Sequence, residues 1–295
     1  MRYELVFSLG LLLGITGCVL DGKEKPPQKQ NASYAGVVNL TDISTVASDN
    51  GMAYQADISA RFQADPLLAP RRGMRRFPVA FSREKKGFQC QLVTNSAKQA
   101  RDTSSWVPVS VGKLVLGTMT SSKQIEIIEG DNHSYFKELM PRFAPGLYFI
   151  AAEGKGKLKP FQVEFVMPEE LRGPRVNEHH LEEGPAIIQK SSPLVVEWDA
   201  PTAPNDMNLV ELYIVTRQGQ EERTLACGVV ESQLEAVGGK VRVEIPAPQM
   251  SGLFATPEGV VELLRVNELA GTVTNGPSLR LDGVRAWVWP GLVAE

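Results

Sequence analysis

From Tyr34 to the end of the chain the apolar residues recur mostly with period two, and no stretch keeps a 3.6-residue period over three turns. Successive side chains of a strand point to opposite faces, so this alternation admits strands with one face on a core and excludes amphipathic helices as the main element. Ala56–Phe62, Phe88–Leu92, Val107–Val111, Lys113–Leu116, Gln124–Ile127, Leu147–Ile150 and Phe161–Val166 read as strands. Turn chemistry separates them at Lys85-Lys86-Gly87, Gly130-Asp131-Asn132, Ala144-Pro145-Gly146 and Gly154-Lys155-Gly156. Short helices fit only near Ser134–Pro141 and Ser232–Val237. The expected fold class is all-β.

A second block of strands follows a Pro, Gly and polar stretch that begins at Pro168-Glu169-Glu170-Leu171-Arg172-Gly173-Pro174. Its strands fall at Pro193–Trp198, Leu209–Arg217, Thr224–Val230, Lys240–Ile245, Gly259–Val266 and Leu279–Val288, the spacing of a β-sandwich. The expected order is therefore a sandwich over 34–170, a linker over 171–190 and an immunoglobulin-like sandwich over 191–295. With 295 residues, 43% hydrophobic and 22% charged, the chain has the length and core-forming residues for two such bodies. A net charge of −3 and three cysteines set aside a basic nucleic-acid binder and a disulfide-dense miniprotein.

Ahead of the strands, Leu5–Ile15 is an eleven-residue apolar run. A bilayer span needs about 20 residues, whereas a signal-peptide core needs about 7–15. The run ends in Ile15-Thr16-Gly17-Cys18, which resembles the lipobox of bacterial lipoproteins: an aliphatic residue and two small ones before a cysteine. The resemblance covers the first 18 residues and departs from the family only where Glu4 offsets Arg2. It implies a signal peptide over 1–17, a Cys18 thiol carrying acyl chains, and anchoring of the exported protein on a membrane. Val19, where aspartate would retain a lipoprotein elsewhere, implies the outer membrane. Residues 18–33, with Lys23–Asn31 rich in Pro, Lys and Gln, read as a flexible tether.

In the second block, Ser192–Pro201 with Trp198, followed by Tyr213 fifteen residues on, resembles the B and C strands of fibronectin type III domains. That resemblance implies that Trp198 and Tyr213 pack into the core and that Pro201 turns the chain. Gly259–Arg265 lacks the aromatic of that family's F strand, so the likeness is to immunoglobulin-like sandwiches in general. The arrangement is also similar to uncharacterised two-domain lipoproteins of Gram-negative bacteria, in which a cysteine ends a strand as in Leu225-Ala226-Cys227.

Reactive constellations are sparse. The chain has no Cys-x-x-Cys, His-Glu-x-x-His or Gly-x-Ser-x-Gly. Glu178-His179-His180-Leu181-Glu182-Glu183 gathers ligand-type side chains, but adjacent histidines on a strand diverge and a Pro/Gly-flanked stretch offers little rigidity, so it reads as a solvated acidic segment. No metal or cofactor is expected. Arg71, Arg72, Arg75 and Arg76 are four arginines within six residues. They suit bidentate grip on phosphate or carboxylate, and equally a solvated loop. Cys90 and Cys227 remain after Cys18; they read either as a disulfide, as an oxidising compartment favours, or as two small buried apolar residues. Trp287 and Trp289 share one face of the last strand, as an exposed aromatic pair or as core.

The expected function is a membrane-anchored envelope lipoprotein that binds, adheres or scaffolds without catalysis, with an envelope protein or glycan as partner. The alternative is a periplasmic or surface hydrolase whose carboxylates converge only in the fold.

Overall fold

The computed structural model describes residues 35–46, 52–64, 87–96, 107–121, 123–139, 142–180, 183–202, 206–272 and 277–295. Those residues are nearly all β. In chain order the strands are β1 (Ala35–Val46), β2 (Met52–Gln63), β3 (Gln89–Ser96), β4 (Leu114–Thr118), β5 (Gln124–Glu129), β6 (Ser134–Leu139), β7 (Gly146–Ala152), β8 (Phe161–Met167) and β9 (Arg175–Val176). They continue with β10 (His179–His180), β11 (Ala186–Gln189), β12 (Leu194–Asp199), β13 (Asn208–Gln218), β14 (Glu221–Val230), β15 (Ala236–Val237), β16 (Lys240–Ile245), β17 (Thr256–Thr272) and β18 (Ser278–Ala294). The single α-helix among them, α1, is Ala247–Met250.

The second block is a sandwich. One layer is the small sheet β10-β9-β12-β16-β15, and the other contains β14-β13-β17-β18. In this partition β12 lies beside β16 and β13 beside β17, so the strands of a β-sandwich alternate between its layers. Trp198, Val196, Val241 and Ile245 from one layer meet Leu212, Ile214, Leu263 and Trp289 from the other. Tyr213 is buried as expected, but in a different core from Trp198. Alternation puts Leu212 and Ile214 on the Trp198 side, so Tyr213 is buried on the opposite face with Leu264 and Val284. There its hydroxyl donates to Glu211 Oε2 at 2.9 Å.

The larger sheet does not stop at the block boundary. Its thirteen strands run β3-β14-β13-β17-β18-β1-β2-β6-β5-β4-β7-β8, with β11 also on β18. β1 lies parallel to β18 from Ala35 beside Ser278 to Thr45 beside Val288, and β11 continues along the same side of β18. The N-terminal block curls around a second core built from Leu40, Ile58, Phe62, Leu114, Ile150 and Phe165, closed by Leu279 and Leu281 of β18. At the end of β8 the chain returns to β18. A Cβ on Gly283 would stand 2.5 Å from the Val166 carbonyl oxygen, so only glycine admits this approach.

Residues 171–190, expected as a linker, instead carry β9, β10 and β11 and bury Leu171, Val176, Ala186 and Ile188. The described residues from Ala35 to Glu295 fall in one compact unit. Two local expectations also change. The sequence near Ser134–Pro141 is strand β6, because Tyr135 is buried while Phe136 is exposed, the alternation of a half-buried strand. Ser232–Val237 holds the end of a 3-10 turn (Glu231–Gln233) and β15. Val107–Val111, expected as a strand, makes an isolated antiparallel bridge of Pro108 with Gln63, flanked by hydrogen bonds from the Ala64 amide to the Val107 carbonyl and from the Val109 amide to the Phe62 carbonyl.

Candidate functional site

The inward faces of β17 and β18 are apolar at both ends and polar in the middle, and that of β1 turns from apolar to polar at the same level. On β17, Val261 and Leu263 serve the sandwich core and Leu269 the N-terminal core, with Arg265 and Asn267 between them. On β18 the same order is Trp289, Trp287, Arg285, Gly283, Leu281, Leu279. On β1, Leu40 gives way to Asp42 and Ser44. Register aligns these breaks, with Asp42 beside Arg285 and Arg285 opposite Arg265. The result is a buried polar seam separating two cores on one face of a continuous sheet.

The seam is tightly bonded. Arg285 pairs with Asp42 through Nη1, and donates from Nε to the Pro168 carbonyl at 3.0 Å and from Nη2 to the Phe143 carbonyl. Arg142 donates to Asp42 Oδ1 and to Glu170 Oε1, both at 2.8 Å, and to Ser44 Oγ at 3.1 Å. Its guanidinium also lies 4.4 Å from the Tyr54 ring centroid. Arg265 pairs with Glu231 at 2.7 Å and donates to the Glu169 carbonyl at 3.2 Å. Glu231 accepts from Asn208 at 3.0 Å, and Asn208 accepts from Asn267 at 2.9 Å. Asp42 is 0% exposed, Glu231 1%, and Arg265 and Arg285 4% each.

Burial pulls the Arg285 guanidinium below its ordinary range, against the opposing charge of Asp42. Burial acts on Arg142 in the same direction, but its hydrogen bonds to Glu170 and Asp42 outweigh it and leave it raised. All three nitrogens of Arg285 donate to oxygens of the chain itself, as do Nη1 and Nη2 of Arg265, whose Nε lies 2.7 Å from Glu231 Oε1 without hydrogen-bond geometry. The peptide after β8 is pinned by them: Pro168 and Glu169 through their carbonyls, and Leu171 through the Trp287 indole at 3.0 Å. Beside the seam a small open cleft lies between Glu169–Arg172 and Asp199–Thr202, with Arg265 at its wall.

A second carboxylate stands apart. Asp57 on β2 is opposite Glu138 on β6 and is 2% exposed. Burial first, and the Glu138 charge second, push its pKa to about 6. Its Oδ1 has no hydrogen-bond partner.

Of the residues singled out in the sequence, Cys90 and Cys227 are joined by a disulfide between directly opposed positions of β3 and β14. Trp289 is fully buried, and Trp287 is half-buried at the edge of the sandwich core, its ring 6.1 Å from that of His180. The His180 amide donates to Glu183 Oε2 at 2.9 Å. Among the described residues no three His, Cys, Asp or Glu side chains cluster as a metal site. Cys18 with the segment 1–33, and Arg71, Arg72, Arg75 and Arg76, lie outside the described residues.

The seam was missed as a site by motif reading. Its signal is a positional one: Asp42, Arg265 and Arg285 each occupy an inward register that apolar residues hold before or after them. No family model matches the chain, and no curated protein is significantly similar to it.

Proposed function

We propose that this chain is an exported lipoprotein held on a membrane through Cys18, and that its β body serves binding or assembly as a rigid scaffold. The observation that carries the scaffold reading is the seam. Its arginines direct their donors to carboxylates and carbonyls of the chain, so the largest concentration of buried charge joins elements together and is not presented to a ligand. The Cys90–Cys227 disulfide supports export, because such bonds persist in oxidising compartments such as the periplasm. On the sequence, Arg71, Arg72, Arg75 and Arg76 are the natural contact for an anionic lipid or glycan.

The test is acylation. Wild-type protein should partition into the detergent phase and carry acyl mass on Cys18, and Cys18→Ser should remain aqueous with unchanged thermal unfolding. A wild-type chain without acyl mass would overturn the anchor. A second reading, a hydrolase, is favoured by one observation, the Asp57–Glu138 pair with its raised acid. Turnover of any ester, glycoside or peptide substrate that disappears in Asp57→Asn would replace the scaffold with that reading.

A further inference from the structure

The terminal strands of the two sheets differ in how they are protected. In the small sheet they are β10 and β15, each two residues long. In the large sheet one end is β8, which carries Glu164, follows Lys159-Pro160 and turns back toward β18 at Gly283. Short length, charge and nearby proline are the usual guards against edge-to-edge pairing. The other end is β3, and it has none of them. Gln89–Ser96 is eight residues long, holds no charged residue and no proline, and keeps an unbroken register against β14 from Gln89 beside Gly228 to Ser96 beside Glu221.

The register also says which backbone groups are free. Cys90 and Cys227 have Cα atoms 4.0 Å apart, the close spacing of a non-hydrogen-bonded pair. Gln89, Gln91 and Val93 therefore spend their N–H and C=O groups on β14. Those of Cys90, Leu92 and Thr94 point the other way, where no described strand pairs with them. The disulfide fastens this strand to its neighbour, so the open ladder is held in place for a partner. Gln91, Leu92 and Thr94 are exposed beside it, Leu92 at 39%.

We propose that the open edge of β3 is an interaction surface for a second copy of this chain, with the two β3 strands antiparallel about a twofold axis. The neutrality of β3 argues for a copy of itself. In a twofold pairing each strand faces its own sequence, and a charged strand would set like charges opposite one another, whereas Gln89–Ser96 sets none. The dimer would continue the sheet from one copy into the next. This inference is independent of the lipid anchor.

Sedimentation velocity of the full chain in mild detergent, over a concentration series, tests it. The expected result is a monomer–dimer equilibrium that Gln91→Lys with Thr94→Lys weakens by about tenfold or more, because each copy then brings a lysine to each face of the paired strands, where it approaches its like-charged counterpart across the axis. Gln162→Lys with Glu164→Lys, on the opposite terminal strand, should leave the equilibrium unchanged and shows whether added positive charge alone acts. Hydrogen exchange should show the Leu92 and Thr94 amides protected at high concentration and open on dilution. A chain that is monomeric throughout overturns the proposal. So does a dimer that survives the β3 lysines, a dimer lost equally in both variants, or amides protected at every dilution, which would mean the chain covers this edge itself.

Discussion

At the scale of single residues, the two kinds of buried charge in this protein make opposite predictions. Arg285 and Asp42 are a buried pair, and removing Arg285 leaves Asp42 with the half-exposed Arg142 as its one counter-charge among the described residues. Arg285→Ala should cost about 3–5 kcal/mol, while Arg285→Met with Asp42→Leu should cost much less, because no unpaired buried charge is left. Urea unfolding of both variants measures the difference, and equal losses would mean that the seam acts through packing alone. Asp57 is unmatched. Its folded pKa of about 6 lies above the usual 3.8, so between those values the folded chain holds a proton that the unfolded chain has released. The contribution of Asp57 is thus fully present below about pH 4 and lost as pH rises through 6. Asp57→Asn should be close to neutral at pH 4 and stabilising by on the order of 1–3 kcal/mol at pH 8. A stability difference that does not grow over that interval would deny the carboxyl its buried, charge-crowded setting.

Elements explain what could be read ahead of the structure. Alternation located β2, β5, β7, β8, β12 and β16, since a strand with one core face writes its period directly into the sequence, whereas β13 and β14, buried on both faces, read as apolar runs. Trp198 is legible for the same reason: it alternates with Val196 and Leu194 toward one core. Trp198→Ala should cost about 3–5 kcal/mol, read as a lowered unfolding midpoint. Partnership between strands is a different matter. Nothing local in Gln89–Ser96 says that it leaves the N-terminal block to pair with β14, and nothing in Ala35–Val46 names β18 as its parallel neighbour. The stretch 171–190 looked like a linker because its strands are two to four residues long, too short for a period to show. The seam escaped because a charged residue in a strand reads as outward-facing unless the register of its neighbours is followed through, as with Arg265 between Leu263 and Leu269.

On the scale of the whole molecule, β17 and β18 are the shared timber of both cores, seventeen residues each, and the seam crosses them midway. Two cores built on common strands should melt together. Calorimetry should give one transition for the wild type, shifted alike by Trp198→Ala in one core and Phe62→Ala in the other. Arg285→Ala, which loosens the join, should broaden or split it, and two resolved transitions already in the wild type would refute the coupling. The parallel pairing of β1 with β18 has a mechanical consequence as well. β1 begins at Ala35 beside Ser278, whereas β18 ends at Ala294, at the far end of the same pair. Tension applied between the chain's two ends therefore slides β1 and β18 past each other lengthwise. Their hydrogen bonds share the load in shear and must fail together, where a hairpin opened from its tips would unzip bond by bond.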